Sequence, residues 1–335
     1  MTVQRPLFTG NVIALIWDFD KTLTPDYMQT PLFEHYGVDK EEFWEEVNGL
    51  KGYYTHRGLE IVSPDTLYLN HILTYVREGR LEGLSNEVLR ELGAKIEFYP
   101  GIPQFLEAIK RIAERPEYKH EGIKIEHYVV STGLRQMILG SKVAPYVDGV
   151  WACEFVSEVA PPGFLKGPVR DNIALDDISP EDVRKKWSSE PVVDIGYVID
   201  NTTKTRAVFE INKGANVEPS ISVNAYIRHE DRRVPFKNMI YVADGPSDVP
   251  VFSVVKGNGG HTFAVYNPKS DEEFAQVNEL HRQGRVSNHG PADYEEGSHT
   301  HKLIVGAVEY IADGIVRSRK EEIERRTGKE PGHLS

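Results

Sequence analysis

The chain has a single cysteine, Cys153, and no hydrophobic run that approaches the ~20 residues of a membrane span. One cysteine excludes an internal disulfide and is typical of a reducing compartment. The first residues, MTVQRPLFTG, lack the charged start and apolar stretch of a secretion signal. These absences predict a cytoplasmic protein that does not span a membrane.

Basic residues are also scarce, with 39 Lys and Arg against 51 Asp and Glu and a formal net charge of −12. Because nucleic acids and anionic membranes are bound through basic patches, this balance argues against both as partners. A phosphate-bearing ligand must then be held locally, by a metal ion or by a few cationic and amide groups. With 335 residues, 40% of them hydrophobic, the chain is long and apolar enough to form two domains or one domain with an insertion.

Short apolar runs alternate with helical patterns along most of the chain. The apolar runs predict strands at 11–17, 125–131, 195–200, 239–244 and 261–266. Between the first two, apolar residues recur at helical spacing (Phe105, Ala108, Ile109, Ile112 and Ala113). This alternation predicts an α/β domain with a doubly wound, mostly parallel sheet.

Residues 25–98 have a different pattern, with several helices and no convincing strand. Asp39 and Glu42 form a capping box, and Ser63-Pro64 is a typical helix start. We therefore expect an α-helical cap at 25–98, inserted into a core of residues 1–24 and 99–335. A second insertion, 154–194, is rich in Pro, Gly and acidic residues and is predicted to form a hairpin plus a short helix at Ser179-Pro180.

The stretch LIWDFDKTLT places two aspartates directly after the first predicted strand. Since residues i and i+2 of a strand point to the same side, Asp18 and Asp20 can converge at its carboxyl end, where open α/β sheets bind ligands. Paired carboxylates with separate duties suit a two-step group transfer. Taken alone, however, the spacing favours an Asx-type turn that leaves a strand.

Polar residues that could bind an anion also follow the later predicted strands. Ser131, Thr132 and Gly133 offer hydroxyls and backbone N–H groups to an anion. Lys204 falls in the first turn of a predicted helix, where a lysine is unfavourable for the helix dipole and indicates an anion nearby. Lys213, at the far end of the same helix, is the competing lysine, but there the dipole already favours a cation. We therefore favour Lys204.

Asp244 follows the strand at 239–244, and Asp248 lies four residues further on, across a Gly-Pro turn. Each of these polar residues has a structural explanation of its own, as a turn hydroxyl, a surface charge or a helix N-cap. Their occurrence at the ends of successive strands, in this order, predicts one common site.

In this order the residues resemble the four signatures of the haloacid dehalogenase-like (HAD) superfamily of phosphohydrolases, in the phosphoserine-phosphatase-like branch with a helical cap between the first two motifs. The signatures correspond to 18–22, Ser131, Lys204 and 244–248, and the resemblance covers residues 11–24 and about 100–270. It implies a Rossmann-like sheet.

The resemblance also implies roles. Asp18 would be the nucleophile that forms an aspartyl-phosphate, and Asp20 the general acid and base. Ser131 and Lys204 would hold the phosphoryl oxygens. Mg²⁺ would be bound by Asp18, Asp20 through its backbone carbonyl, and Asp244, with Asp248 supporting them. Mg²⁺ prefers such oxygen ligands.

The sequence departs from the phosphoserine enzymes at two positions. They carry a glutamate nine residues past the nucleophile, which reads the substrate amine, whereas this chain has Tyr27 there. Lys21 replaces the commoner Gly or Ser of the first motif. Both departures argue against phosphoserine as the substrate. Tyr27 and the cap stretch YYTHRG, with Tyr54, His56 and Arg57, are candidates for contacting the leaving group, although the stretch equally suits a solvated turn.

The predicted function is therefore a Mg²⁺-dependent phosphatase acting on a small phosphorylated metabolite. One alternative is a phosphotransferase or phosphomutase that uses the same aspartyl-phosphate. Another is a non-catalytic HAD-like module that binds a phosphorylated ligand. Asp20 and Asp244 are both present, which argues against the last alternative.

Overall fold

The computed structural model of the chain describes residues 8–165 and 180–327. The strands are β1 (Val12–Trp17), β2 (Lys124–Leu134), β3 (Gly149–Val156), β4 (Asp194–Tyr197), β5 (Met239–Ala243), β6 (His261–Tyr266) and β7 (Asn288–Pro291). The α-helices of the described residues are α1 (Thr30–Tyr36), α2 (Lys40–Thr55), α3 (Pro64–Arg77), α4 (Asn86–Gly93), α5 (Gln104–Ile112), α6 (Pro116–His120), α7 (Arg135–Gly140), α8 (Pro180–Ser189), α9 (Lys204–Lys213), α10 (Val249–Gly257), α11 (Asp271–Arg282) and α12 (His299–Thr327).

The seven strands form one sheet in the order β4–β3–β2–β1–β5–β6–β7. All neighbouring strands are parallel except β3 and β4. The predicted doubly wound, mostly parallel α/β fold is therefore confirmed. From β1 the chain proceeds outward first through β2 to β4 and later through β5 to β7, so a ligand crevice is expected at the carboxyl end of β1.

Helices cover both faces of the sheet centre. All six residues of β1 are buried, which requires cover on each side of the strand. Helix α12 contacts α5 and β1, while α9 and α10 pack together against β2, β5 and β6. No helix of the described residues is both long and apolar enough to cross a membrane.

Three details of the sheet differ from the sequence prediction. β3 and β7 were not predicted, because β7 has only four residues without an apolar run and β3 is only partly buried. The strand predicted at 195–200 is wrong at its end, since β4 stops at Tyr197. Beyond it the Asp200 carboxylate accepts hydrogen bonds from the backbone N–H groups of Thr202 and Thr203, which form the turn into α9.

Residues 25–98 hold helices α1–α4 and no named strand. Asp39 accepts a hydrogen bond from the N–H of Glu42, and Ser63 accepts one from the N–H of Thr66, so both side chains cap their helices. The predicted apolar stripe from Phe105 to Ala113 is wrong at Ala108, which is exposed, because α5 turns Leu106 toward the core instead.

Helix α4 of this region packs directly against α7 of the core. A Cβ on Gly93 would lie 2.1 Å from the carbonyl oxygen of Met137, and one on Gly140 would lie 1.7 Å from that of Arg90. The two helices therefore approach backbone to backbone at two glycines. Of the predicted insertion at 154–194, residues 166–179, including Ser179, lie outside the described residues. The described part contains α8, and the antiparallel strands β3 and β4 pair at its two ends.

Candidate active site

The two aspartates of the first motif lie at the carboxyl end of β1. Asp18 directly follows the strand and is buried, and its backbone N–H donates to the Val242 carbonyl of β5 at 2.9 Å. The Asp20 carboxylate accepts a hydrogen bond from the N–H of Met28 at 2.8 Å. Asp244 follows the neighbouring β5, so parallel pairing brings the first and last motifs to one edge of the sheet.

Lys204 joins these motifs. Its Nζ donates to Asp18 Oδ1 at 2.9 Å and to Asp248 Oδ1 at 2.8 Å, and the side chain is fully buried. Lys213 instead donates to the carbonyls of Val223 and Ala225, at the other end of α9. Of the two lysines considered from sequence, the structure places Lys204 among the aspartates.

Burial and charge set different protonation states for the two aspartates of the first motif. Burial raises the pKa of Asp18 to about 6, although Lys204 opposes this shift. Burial and the negative charge of Asp18 raise the pKa of Asp20 to about 8. Near neutral pH, Asp18 is therefore mostly ionised while Asp20 carries a proton. Two carboxylates whose pKa values are separated in this way have the arrangement of a nucleophile and an acid.

The carboxylates fit a divalent cation. Asp18, Asp244 and Asp248 each offer an oxygen, and these oxygens lie within 4.8 Å of one another. Burial, followed by the charges of Asp18 and Asp248, holds the pKa of Asp244 well above its usual range. Lys204 balances only part of this negative charge. A cluster of oxygen donors with excess negative charge suits Mg²⁺.

The residues predicted to face an anion lie at the end of β2, next to Asp20. Ser131 is buried, and its Oγ accepts the N–H of Gly133 at 3.0 Å. Thr132 is half-buried. A Cβ on Gly133 would lie 2.1 Å from the Met28 side chain and 3.3 Å from Asp20 Oδ2, so a larger residue would collide with Met28 beside Asp20.

The residues predicted to contact the leaving group do not lie together in the structure. The Tyr27 ring is 39% exposed and lies 5.0 Å from both the Trp44 ring and the Lys21 ammonium. The stretch YYTHRG, considered above as a solvated turn, is helical in its first half, because α2 continues through Thr55. His56 and Arg57 are exposed and bond carbonyls of α2.

Tyr54, at the end of α2, is half-buried. Among the described residues, no hydrogen bond, ion pair or ring contact joins Tyr54, His56 or Arg57 to Asp18 or Asp20. The structure therefore does not bring these three residues together with the aspartates.

Sequence reasoning missed two groups that hold the aspartates. Tyr241, a buried residue of β5, donates its hydroxyl proton to Asp248. Met28 supplies the N–H for Asp20, and its Sδ accepts the N–H of Leu134 at 3.1 Å. A backbone donor leaves no signal in the sequence. A tyrosine within an apolar strand looks like a core residue.

The sheet order, with the four motifs at its carboxyl edge, agrees with the fold that the resemblance to the HAD superfamily implies. The chain is similar to several solved structures, among them a HAD family hydrolase from Salmonella enterica serovar Typhi (14% identity, TM-score 0.45, covering 84% of this chain and 68% of that one). A probable phosphoserine phosphatase from Vibrio cholerae has 12% identity and a TM-score of 0.44, covering 92% of this chain and 68% of that one.

A relative is much more similar in sequence. An uncharacterised protein of Borreliella burgdorferi is 40% identical over 299 residues, which are 88% of this chain and 96% of that protein. The chain belongs to the same family as this Borreliella burgdorferi protein. No protein-family model matches the chain.

Proposed function

We propose that the protein is a Mg²⁺-dependent phosphatase that hydrolyses a small phosphomonoester through an aspartyl-phosphate on Asp18. The observation that supports this most directly is the pair Asp18 and Asp20: one is ion-paired with Lys204, and the other has a pKa of about 8. One carboxylate is thus ready to attack and its neighbour to donate a proton.

The reaction proceeds in two steps. A carboxylate oxygen of Asp18 attacks phosphorus, the bond to the alcohol oxygen breaks, and Asp20 gives its proton to the departing alkoxide. The Asp20 carboxylate then takes a proton from a water molecule, which attacks the aspartyl-phosphate. Inorganic phosphate leaves, and both aspartates return to their starting states.

Other residues stabilise the transferring group. Lys204, Ser131, Thr132 and Gly133 would hold the phosphoryl oxygens; for this, the Gly133 N–H would exchange its hydrogen bond to Ser131 Oγ for one to the ligand. Asp18, Asp244 and the Asp20 carbonyl, with Asp248 beside them, would hold Mg²⁺, which when bound offsets the negative charge of these oxygens. Enzymatic hydrolysis of phosphomonoesters reaches accelerations of up to ~10²¹-fold, so several such groups must act together.

Composition supports the proposed substrate class and the proposed cellular compartment. The net charge of −12 supports a small phosphorylated metabolite over a nucleic acid or a membrane surface. The single buried Cys153 supports a reducing, cytoplasmic environment.

The test is phosphate release from a panel of phosphomonoesters in Mg²⁺, compared for the wild type, Asp18→Asn and Asp20→Asn. Because Asn is neither a nucleophile nor an acid, both variants should lose at least about 10²-fold in kcat. Asp271→Asn, on the exposed first turn of α11, is the matched control and should keep wild-type turnover. Full activity of Asp18→Asn would contradict the assignment, and no release by the wild type from any ester would contradict hydrolysis.

A further inference from the structure

Lys21 adopts a backbone conformation that does not suit a lysine. Its φ of 57° is left-handed, and it is the one non-glycine residue with a positive φ in the described part of the chain. Such a conformation costs on the order of 1 kcal/mol for a residue with a Cβ, whereas glycine adopts it freely. The position lies directly after Asp20, and strained residues cluster at functional sites. A side chain kept here at that cost is expected to have a use.

The Lys21 side chain has no structural ion pair to explain its presence. Its ammonium lies 5.0 Å from the centre of the Tyr27 ring, and among the described residues no carboxylate comes within ion-pairing distance of it. The charges of Asp244 and Glu273 nevertheless act on it. The ammonium also has a side-chain hydrogen bond with Tyr27, so it is near the proposed metal-binding carboxylates with a neutral partner and no carboxylate partner in contact.

Lys21 differs in this respect from Lys204, the other lysine of the site. Lys204 is fully buried, and both of its carboxylate partners lie within 2.9 Å. Lys21 is only half-buried and lies against Tyr27, the residue at the junction of core and cap. Lys204 thus lies among the aspartates, whereas Lys21 lies beside Tyr27, near the start of the predicted cap.

We propose that Lys21 is a specificity-determining residue that binds an anionic group, such as a carboxylate, on the alcohol part of the substrate. This rests on the proposed phosphatase function and narrows its substrate class to phosphomonoesters with a second negative charge. A charge-assisted hydrogen bond between an ammonium and a carboxylate is among the stronger polar contacts, so it can discriminate between otherwise similar esters.

The experiment compares 3-phosphoglycerate with glycerol 3-phosphate, which differ in a carboxylate against a neutral CH₂OH. The measured quantity is the ratio of their kcat/KM values. Lys21→Met should lower this ratio about tenfold, mainly through the KM of the carboxylated ester. Lys21→Arg should restore most of it. Lys119→Met, on an exposed helix position away from the site, is the matched control and should leave the ratio at the wild-type value.

Lys21→Gly separates the side chain from the backbone, because glycine keeps the left-handed turn while removing the charge. It should fold like the wild type and show the same low ratio as Lys21→Met. The proposal is overturned if Lys21→Met leaves the ratio unchanged, or if it slows both esters equally, since the residue would then act on the phosphoryl group or on the fold.

Failure of the proposed function has a different signature, namely no turnover of either ester by the wild type. In that case calorimetry measures the dissociation constants of the two esters, and their ratio is compared between Asp18→Asn and the double variant Asp18→Asn with Lys21→Met. Weaker binding of 3-phosphoglycerate alone in the double variant supports the role of Lys21. An unchanged ratio, or no binding of 3-phosphoglycerate to Asp18→Asn, overturns it.

Discussion

Lys204 is buried between the carboxylates of Asp18 and Asp248, and this arrangement has a consequence for stability. Removing one partner of a buried ion pair leaves uncompensated charge in the interior. We expect Lys204→Met to lower the free energy of unfolding by about 3 kcal/mol in metal-free urea denaturation. Lys213→Met, which loses only hydrogen bonds to two carbonyls, should lose about 1 kcal/mol. Equal losses of unfolding free energy in the two variants would show that the buried ion pairs of Lys204 do not stabilise the protein more than the hydrogen bonds of Lys213 do.

His127 is a buried neutral histidine in the middle of β2. Its Nδ1 accepts the indole N–H of Trp17 at 3.1 Å, and its Nε2–H donates to the Leu106 carbonyl at 2.9 Å. This pattern requires one proton on the ring. Burial lowers the pKa of His127 from 6.5 to about 3, because a charged imidazolium would be desolvated there.

The pKa shift of His127 makes the stability of the fold depend on pH. Between pH 6.5 and about 3, the unfolded chain binds a proton that the folded chain does not. The contribution of neutral His127 to stability is therefore full above this window and is lost as pH falls through it. The loss from this residue between about pH 7 and about pH 5 should be about 2 kcal/mol.

The measurement is urea denaturation of the wild type and His127→Gln across that range. The variant is less stable at neutral pH, since the amide fits the two partners less well, but its stability should fall less steeply toward acid. His120→Gln, at an exposed position, should keep the wild-type slope. Parallel curves for wild type and His127→Gln would show that His127 does not contribute to the acid sensitivity.

Helices α4 and α7 are joined at Gly93 and Gly140, where each backbone leaves no room for a Cβ on the other. The obstructing atoms are carbonyl groups, which cannot move without shifting a helix. Gly93→Ala and Gly140→Ala should each destabilise the protein by about 2 kcal/mol, within the range for overpacking. In thermal unfolding their midpoints should be clearly below that of the wild type.

Gly49 in α2 provides a matched control, since a Cβ there meets nothing within 4 Å. Alanine is a better helix former than glycine, so Gly49→Ala should raise stability by up to about 1 kcal/mol. A gain in stability at Gly93 or Gly140 as well would show that α4 and α7 separate readily, and that the cap is not anchored through this contact.

The whole molecule is acidic, with a net charge of −12, and three of its carboxylates, Asp18, Asp244 and Asp248, lie together at one edge of the sheet. Without metal, Asp244→Asn removes a repelling carboxylate, so the variant should be at least as stable as the wild type. With Mg²⁺ the order should reverse, because a ligand that binds only the folded state stabilises it and the variant has lost one of the proposed metal ligands.

Thermal midpoints measured with EDTA and with millimolar Mg²⁺ test this reversal. The wild type should gain several degrees on adding Mg²⁺, and Asp244→Asn should gain little. The exposed Asp271→Asn should behave like the wild type in both conditions. An equal Mg²⁺ response in Asp244→Asn would mean that the cation binds elsewhere on this acidic protein.

Much of the fold was predictable because its central strands are apolar runs. β1, β5 and β6 are buried along almost their whole length. Strands that are buried on both faces need apolar residues at nearly every position, and such runs are visible in the sequence. β7 was missed because a four-residue edge strand needs few apolar side chains. In α2 the helix continues into the tyrosines of YYTHRG, since nothing in that stretch terminates it before Thr55.

The sequence by itself determined which residues follow each strand, and hence that Asp18, Asp20, Lys204, Asp244 and Asp248 could meet at the carboxyl edge of a parallel sheet. Only the tertiary structure decided that Lys204, and not Lys213, lies between two carboxylates. It also decided that Asp20 is protonated near neutral pH. The reason is physical: pairing distances and pKa values depend on burial and on neighbours far apart in the chain, which local sequence does not encode.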